Sequence, residues 1–254
     1  MRLRSLFAVS LLHGPAELLP ISSSAHVGLL LRDLDPGGRK ELEVAVHAGT
    51  LLALGLPRPR LWLVTATVPA AIAGALFERR IEHLGPRSTA FGLVAGGIAM
   101  AIADSMGRGQ SPPSIPWVGD SPRRGFRGSG TVPGWFSAGV VGLAQAVALV
   151  PGVSRHGAAL TALRALGFSR ADAHALSREA SKPVLAGAVA LKGWRVVRRG
   201  GPLVPLAVSA AGSFLGTRAA LRVVGAPPLW PFALYRAALA ASVLRMDDRS
   251  ADRV

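Results

Sequence analysis

Apolar residues recur along most of the chain in runs of about 12 to 17 residues, separated by short polar segments. Runs of this length predict helices, but most are shorter than the roughly 20 residues that a straight membrane-spanning helix needs. Several predicted helices must therefore extend into flanking residues, tilt, or enter a bilayer without crossing it. The predicted spans are 42–56, 61–77, 89–103, 135–150, 183–194, 203–215 and 229–244.

The composition favours a membrane protein over a soluble one. Hydrophobic residues make up 50% of the chain and charged residues only 17%, and the mean hydropathy is +0.39. These values are too apolar for an ordinary soluble domain. We therefore expect one all-α, polytopic integral-membrane domain over residues 1–254. The N-terminus begins like a signal peptide, but His13 and Glu17 interrupt its apolar region, so we expect it to be retained.

The net charge of +15 would suit a nucleic-acid-binding protein. The basic residues lie mostly in the gaps between apolar runs, where loop charge beside a membrane explains them better, and we expect no nucleic acid partner. Only three of the 29 basic residues are lysine, and genomic composition bias is an alternative explanation for part of the excess. The chain has no cysteine, which excludes disulfides, a thiol nucleophile and thiolate metal ligands.

A polar segment rich in Gly, Pro, Ser and Arg, residues 104–134, predicts a flexible loop between two halves of the chain. Each half carries a related element of two aliphatic residues, Pro, two residues and Ser, at 18–23 and at 149–154. Proline-broken apolar segments at corresponding positions of two halves are typical of a site built from internal repeats.

Polar side chains interrupt the first apolar stretch around Pro20, and they are Glu17, Ser22, Ser23, Ser24 and His26. Ionisable groups are costly inside a membrane and are usually functional there. Pro20 should break the helix, and the amides and hydroxyls after the break could hold a phosphate. The alternatives are a helix cap for the serines and an interfacial position for His26.

A second polar segment follows Pro151 and contains Ser154, Arg155 and His156. A planar guanidinium suits forked hydrogen bonding to phosphate oxygens, so Arg155 is the best candidate for an anion clamp. The alternative is that Arg155 extends to the lipid headgroups. Two such segments together favour a site that handles phosphate.

At these two segments the sequence resembles the undecaprenyl-pyrophosphate phosphatase family. The family's first motif, Glu-Gly-x-Thr-Glu-Phe-Leu-Pro-Ile-Ser-Ser-Ser-Gly-His, corresponds to residues 13–26, and its second, Pro-Gly-x-Ser-Arg-Ser-Gly-x-Thr, to residues 151–159. The likeness also covers 47–53, 68–78, 142–152 and 231–236. It implies two re-entrant hairpins from inverted repeats, a site towards the outer face of the bacterial cytoplasmic membrane, and a divalent cation, Mg2+ or Ca2+. The implied activity releases phosphate from undecaprenyl pyrophosphate, which recycles the lipid carrier of cell-wall synthesis and is associated with bacitracin resistance.

The chain departs from the family motifs at His13, Ala16, Ala25, His156 and Ala159. His13 replaces the first carboxylate, which weakens a two-carboxylate metal site because hard cations prefer oxygen ligands. His13 lies four residues before Glu17, where it could orient that carboxylate on one helix face.

We expect Arg155 to bind the pyrophosphate, Glu17 to bind metal or activate water, and His26 to act as general base or nucleophile. His13 is a second candidate metal ligand. The candidate phosphate ligands are Ser22, Ser23, Ser24, Ser154, Arg155 and His156. A non-hydrolytic carrier-binding protein or translocase is the alternative function, and the oligomeric state, including a homo-oligomer, stays open.

Two later segments carry weaker expectations. Residues 169–182 place Arg178, Glu179 and Lys182 where the family is apolar, and we expect a solvated turn with a helix cap at Ser169. Tyr235 and Arg236 are expected as an interface anchor rather than as site residues.

Overall fold

A computed structural model of the chain describes residues 3–31, 36–106 and 133–251. All regular secondary structure in this part of the chain is helical, which confirms the all-α prediction. Residues 107–132, most of the predicted loop, lie outside the described residues. The described helices are α1 (Leu3–Leu18), α2 (Ser23–Leu30), α3 (Pro36–Leu54), α4 (Leu61–Glu82), α5 (Pro86–Met106), α6 (Trp135–Val147), α7 (Arg155–Ala165), α8 (Arg170–Arg198), α9 (Leu203–Val223) and α10 (Trp230–Ala251).

Each of the seven predicted apolar spans lies on a helix, apart from a few residues at span ends. Two of the described helices, α5 and α9, are long and apolar enough to cross a membrane, judged by length and composition. Only 39% and 33% of their most apolar windows are buried, and large apolar side chains such as Phe91 and Leu203 face outward. An apolar outer surface of this kind suits lipid rather than water. The protein is a membrane protein, and its described residues form helices and no other regular structure.

The chain divides into two compact units. The first comprises Met1–Arg58 and Ser181–Gly225, and the second comprises Pro59–Ala180 and Ala226–Val254. The boundary falls inside α8, which therefore contributes residues to both units. The single membrane domain over residues 1–254 stays a prediction.

Small residues set the close packing of the first unit, in which α1 and α3 both pack along α9. A Cβ at Gly216 would overlap the carbonyl of Leu11, and one at Gly49 would overlap the carbonyl of Ala210. Close backbone approach through small residues is how helices associate where both their surroundings and their surfaces are apolar. Hydroxyls line the same contact, with the Thr50 and Ser213 oxygens 2.9 Å apart.

In the second unit α5 packs along α10, α4 packs along α6, and α7 lies against α5 and α6. Their buried apolar side chains form one core that includes Trp62, Leu63, Met100, Leu160, Leu163, Leu176 and Leu229. Gln145 donates a hydrogen bond of 2.8 Å to the carbonyl of Ala66, which links α6 to α4.

A buried carboxylate at the end of α5 ties three segments of the second unit together. Asp104 accepts two hydrogen bonds of 2.8 Å from Arg170 and one of 3.1 Å from the backbone N–H of Leu229. Arg164 lies 3.4 Å from the same carboxylate. Asp104, expected as the first residue of the polar loop, is instead helical and buried, and α5 continues through it to Met106.

The expected solvated turn over residues 169–182 is wrong, because α8 is continuous through this segment. The helix cap at Ser169 is confirmed, since its hydroxyl accepts a hydrogen bond of 3.1 Å from the Asp172 N–H. The helix persists because Leu176 and Ala180 pack into the core of the second unit. Lys182 is buried at 9% exposure, whereas Arg178 and Glu179 are half-buried.

Candidate functional site

The first polar segment lies at a break between two helices of the first unit. α1 ends at Leu18 and α2 begins at Ser23, so the helix break predicted from Pro20 is confirmed. Ser22, the residue before α2, has a left-handed backbone with φ of 67°. A left-handed residue reverses the chain sharply, and for a residue other than glycine this conformation is costly. The turn therefore has a defined shape that its surroundings hold.

The carbonyl of Ser22 fixes the histidine of the same segment. His26 Nδ1 lies 2.8 Å from that oxygen. A carbonyl oxygen can only accept, so the contact places the ring proton on Nδ1 and the lone pair of the neutral ring on Nε2. His26 thus has the tautomer that a general base or a nucleophile acting through Nε2 requires.

Glu17 lies where α1, α2 and α3 meet. Ser23 Oγ, at the start of α2, donates a hydrogen bond to Glu17 Oε2. His47 Nε2, from α3, lies 3.6 Å from Glu17 Oε1. The two carboxylate oxygens therefore face different partners, and the carboxylate plane is set by both. Ser23, expected as a phosphate ligand, acts here as a donor to Glu17.

His13 lies one turn before Glu17 on α1 and completes a cluster with His47. The His13 and His47 rings meet edge to face with centroids 5.4 Å apart. His13 is 4% exposed, and neither of its ring nitrogens has a hydrogen-bond partner within the described part of the chain. The potential metal-ligating atoms of His13, Glu17 and His47 all lie within 4.8 Å of one another.

The sequence did not single out His47 as a site residue. The only signal was its place in the segment 47–53 that resembles the family. A histidine 30 residues beyond Glu17 carries no local pattern that links it to Glu17. Its approach depends on the packing of α3 beside α1, which is a tertiary contact.

The remaining serines of the first segment differ in exposure. Ser22 Oγ is 3.2 Å from Ser24 Oγ, and Ser22 is buried while Ser24 is exposed. The hydroxyl of Ser24 is therefore more accessible to a ligand than that of Ser22.

The second polar segment lies at a corresponding break in the second unit. α6 ends at Val147 and α7 begins at Arg155, as the prolines of the two segments predict. Gly152 has φ of +90° in this turn, and a Cβ there would overlap the carbonyl of Thr89 on α5. Only glycine meets both requirements at low cost. Ser154 caps α7, since its hydroxyl accepts a hydrogen bond of 3.1 Å from the N–H of Gly157.

Arg155 and His156 occupy the first turn of α7. Arg155 is half-buried, and His156 is buried with its ring 5.9 Å from that of His174 on α8. The N–H groups in the first turn of a helix attract anions. Arg155 adds a full positive charge at the same place, so both features favour an anionic ligand.

Arg236 is not the interface anchor that the sequence predicted. It is 1% exposed, and its guanidinium donates to the carbonyls of Gly92, Leu93 and Gly152. Tyr235 beside it is 44% exposed, so only the tyrosine is accessible. Sequence position alone could not separate the two, because neighbouring residues on a helix point in different directions.

The predicted site residues thus form two groups. The first unit brings together His13, Glu17, Ser22, Ser23, Ser24 and His26 and adds His47, while the second brings together Ser154, Arg155 and His156.

Comparisons with known proteins identify the family of the chain. Residues 57–242 match the family model described as bacitracin resistance protein BacA. A relative from Geobacter sulfurreducens is 36% identical, with 93% of this chain and 95% of the relative aligned. The chain belongs to the BacA family. This confirms the resemblance drawn from the two motifs.

Other BacA relatives are also similar to this chain over most of its length. One from Trichlorobacter lovleyi is 33% identical over 94% of each chain, and one from Moorella thermoacetica is 35% identical over 72% of this chain and 73% of its own length. All three relatives are named undecaprenyl-diphosphatase. The alignment over 93% of the chain must extend N-terminal to residue 57, where the family model match begins.

Proposed function

We propose that this protein hydrolyses undecaprenyl pyrophosphate to undecaprenyl phosphate and inorganic phosphate. The observation that carries the proposal is Glu17, a carboxylate oriented by Ser23 and His47 directly before a proline-broken turn in a membrane protein of the BacA family. An oriented carboxylate beside free helix N-terminal groups suits chemistry at a phosphoanhydride.

In this proposal each unit contributes its own candidate donors to the pyrophosphate, at the start of α2 in the first unit and at the start of α7 in the second. Arg155 contributes a forked pair of donors, which matches the geometry of two phosphate oxygens. The hydroxyls of Ser22 and Ser24 and the first-turn N–H groups of both helices supply further donors. Ser154 acts mainly by capping α7, and His156 by packing beside the first turn.

A divalent cation belongs to the proposal, with Glu17 and His13 as its ligands. When bound, the cation would neutralise negative charge on the phosphoryl oxygens. The buried imidazole of His13, which has no hydrogen-bond partner in the described part of the chain, supports this assignment.

The bond changes follow from the substrate. An oxygen of water bonds to the terminal phosphorus, the bridging P–O bond breaks, and the lipid leaves as undecaprenyl phosphate. Glu17 or His26 takes the proton of the attacking water, and the Nδ1–H tautomer of His26 suits this role. In the alternative, His26 Nε2 attacks phosphorus itself and forms a phosphohistidine that water then hydrolyses.

The proposed setting is the bacterial cytoplasmic membrane, which the chain crosses several times. The helix pairs α1–α2 and α6–α7 then act as re-entrant hairpins related as inverted repeats, with the site opening towards the outer face. The short lengths of α2, α6 and α7, with 8, 13 and 11 residues, support hairpins that do not cross, because a straight span needs about 20 residues.

The test is phosphate release from undecaprenyl pyrophosphate by detergent-purified protein. Glu17→Gln removes the carboxylate charge at nearly constant size, and Arg155→Lys keeps the positive charge but removes the forked pair of donors. Each should reduce release at least about a hundredfold. Glu41→Gln and Arg245→Lys are the matched controls and should release phosphate like wild type.

A different result would favour the alternative function. If wild type binds the lipid without releasing phosphate, and Arg155→Lys weakens that binding, the protein is a carrier-binding protein or translocase. Trapping radiolabel on His26, and its loss in His26→Ala, would separate the nucleophile from the general base.

A further inference from the structure

The donor set at the centre of the first unit contains one carboxylate and two imidazoles. Glu17 supplies the oxygen ligand, and His13 and His47 supply nitrogen ligands from α1 and α3. Mg2+ and Ca2+ select sites made of oxygen ligands, whereas imidazole nitrogen suits Zn2+ and other first-row transition ions. The donors at this position therefore do not match the hard cation that the family resemblance implies.

We propose that His13, Glu17 and His47 form a three-ligand site for a borderline transition cation of the Zn2+ class, in preference to Mg2+ or Ca2+. The inference deepens the proposed function, on which its catalytic meaning rests. The binding site itself depends only on the three side chains.

The geometry accommodates one such ion. A tetrahedral ion with bonds of about 2.05 Å holds neighbouring ligand atoms about 3.4 Å apart. The 3.6 Å between His47 Nε2 and Glu17 Oε1 already matches that spacing. All three ligand atoms lie within 4.8 Å of one another. To bind one tetrahedral ion, the most distant pair must therefore approach by about 1.4 Å at most, which is the difference between 4.8 Å and the tetrahedral spacing.

The burial of His13 is the second observation that points to a ligand. Its imidazole is 4% exposed, and neither nitrogen has a hydrogen-bond partner in the described residues. A buried polar group usually has a partner, because burying it without one costs about 1 to 3 kcal/mol. A metal bond to one ring nitrogen would supply that partner.

Ser23 completes the arrangement by holding the carboxylate. Its hydroxyl donates to Glu17 Oε2, which leaves Oε1 on the side of His47. Hydrogen bonds of this kind orient metal ligands and strengthen binding. Three ligands leave a fourth position open for water or a phosphate oxygen, as in catalytic rather than structural zinc sites.

The experiment measures metal binding on full-length, tag-free protein in detergent. Metal-depleted protein is dialysed against Zn2+ with about a hundredfold excess of Mg2+ and Ca2+, and bound metal per chain is determined. We expect one Zn2+ per chain. Co2+, used as a probe, should give the intense visible absorption of a four-coordinate site and be displaced by Zn2+.

Variants assign the ligands. His13→Ala and His47→Ala should each weaken Zn2+ binding at least about tenfold, while His83→Ala, an exposed histidine at the end of α4, should bind like wild type. His13→Glu should shift the preference towards Mg2+, because it replaces a nitrogen ligand with an oxygen ligand. If a buried change at His13 prevents folding, the partly exposed His47 still provides the test.

Two results would overturn the inference: preferential binding of Mg2+ or Ca2+ by wild type, or Zn2+ binding that neither His13→Ala nor His47→Ala weakens. Failure of the proposed function would give a different combination of metal binding and phosphate release. Stoichiometric Zn2+ binding without phosphate release under any metal would support this site and contradict the phosphatase. Release restored by Mg2+ alone would support the phosphatase and contradict this site.

Discussion

Arg236 on α10 donates a hydrogen bond of 2.8 Å to the carbonyl of Gly152, in the turn that separates α6 from α7. The same buried guanidinium donates to the carbonyls of Gly92 and Leu93 on α5, each at 3.0 Å. One side chain thus fixes the turn before Arg155 against two helices of the second unit. Its role is to position the turn.

Arg236→Met should destabilise the protein and disorder this turn. The change removes three hydrogen bonds from a charged donor, each worth about 1.5 to 3 kcal/mol, so we expect a loss of at least about 3 kcal/mol. Thermal unfolding in detergent should show a lower Tm, and phosphate release should fall with it. Arg245→Met, exposed on the same helix, is the control. Equal Tm values for the two variants would contradict this role.

The left-handed backbone of Ser22 predicts an order of stability among its variants. A residue other than glycine loses about 1 to 2 kcal/mol in this conformation, and a β-branched residue is the least tolerated. Ser22→Gly should therefore be more stable than Ser22→Ala, and Ser22→Val the least stable of the three. Thermal unfolding of the three variants measures the order, and a more stable Ser22→Ala would show that the turn does not require φ of 67°.

Close packing between α1 and α9 depends on Gly216. Gly216→Leu should separate the helices, because even a Cβ overlaps the Leu11 carbonyl, and we expect a loss of about 3 kcal/mol or more. Gly139→Leu on α6 is the control, since a Cβ there meets no atom within 4 Å. Protein yield and Tm in detergent measure both. Comparable behaviour of the two variants would contradict the tight α1–α9 contact.

Asp104→Asn should weaken the junction between α5, α8 and the start of α10. The substitution leaves Arg164 and Arg170 beside a neutral side chain, and breaking one side of a buried ion pair costs about 3 to 5 kcal/mol. Glu41→Gln, a carboxylate on α3, should unfold like wild type. Replacement of Asp104 without loss of Tm would mean that the ion pairs add little to stability.

Much of the fold could be predicted from the sequence because its signals are local. Apolar runs located the helices, and Pro20 and Pro151, each beside polar residues in an apolar stretch, marked the two breaks. Proline alone does not mark a break, because Pro15, Pro69 and Pro183 lie inside helices. The same locality explains why Glu17, His26 and Arg155 were found. Each stands out as an ionisable or polar residue inside an apolar stretch.

The features that the sequence missed arise from contacts between distant segments. His47 reaches Glu17 only because α3 packs beside α1, and Arg236 is buried only because α10 packs along α5. Residues 169–182 have a polar composition that suits a turn, but packing of Leu176 into the core outweighs that preference. Composition is a property of each segment alone, whereas the burial and contacts of its side chains depend on the other segments that pack against it.

The most direct test of hydrolysis is the conversion of undecaprenyl pyrophosphate by purified wild-type protein in water enriched in oxygen-18, with both products analysed by mass spectrometry. Attack of water on the terminal phosphorus predicts undecaprenyl phosphate without label and inorganic phosphate that carries one labelled oxygen. Recovery of the intact pyrophosphate from protein that demonstrably binds it would contradict the central claim.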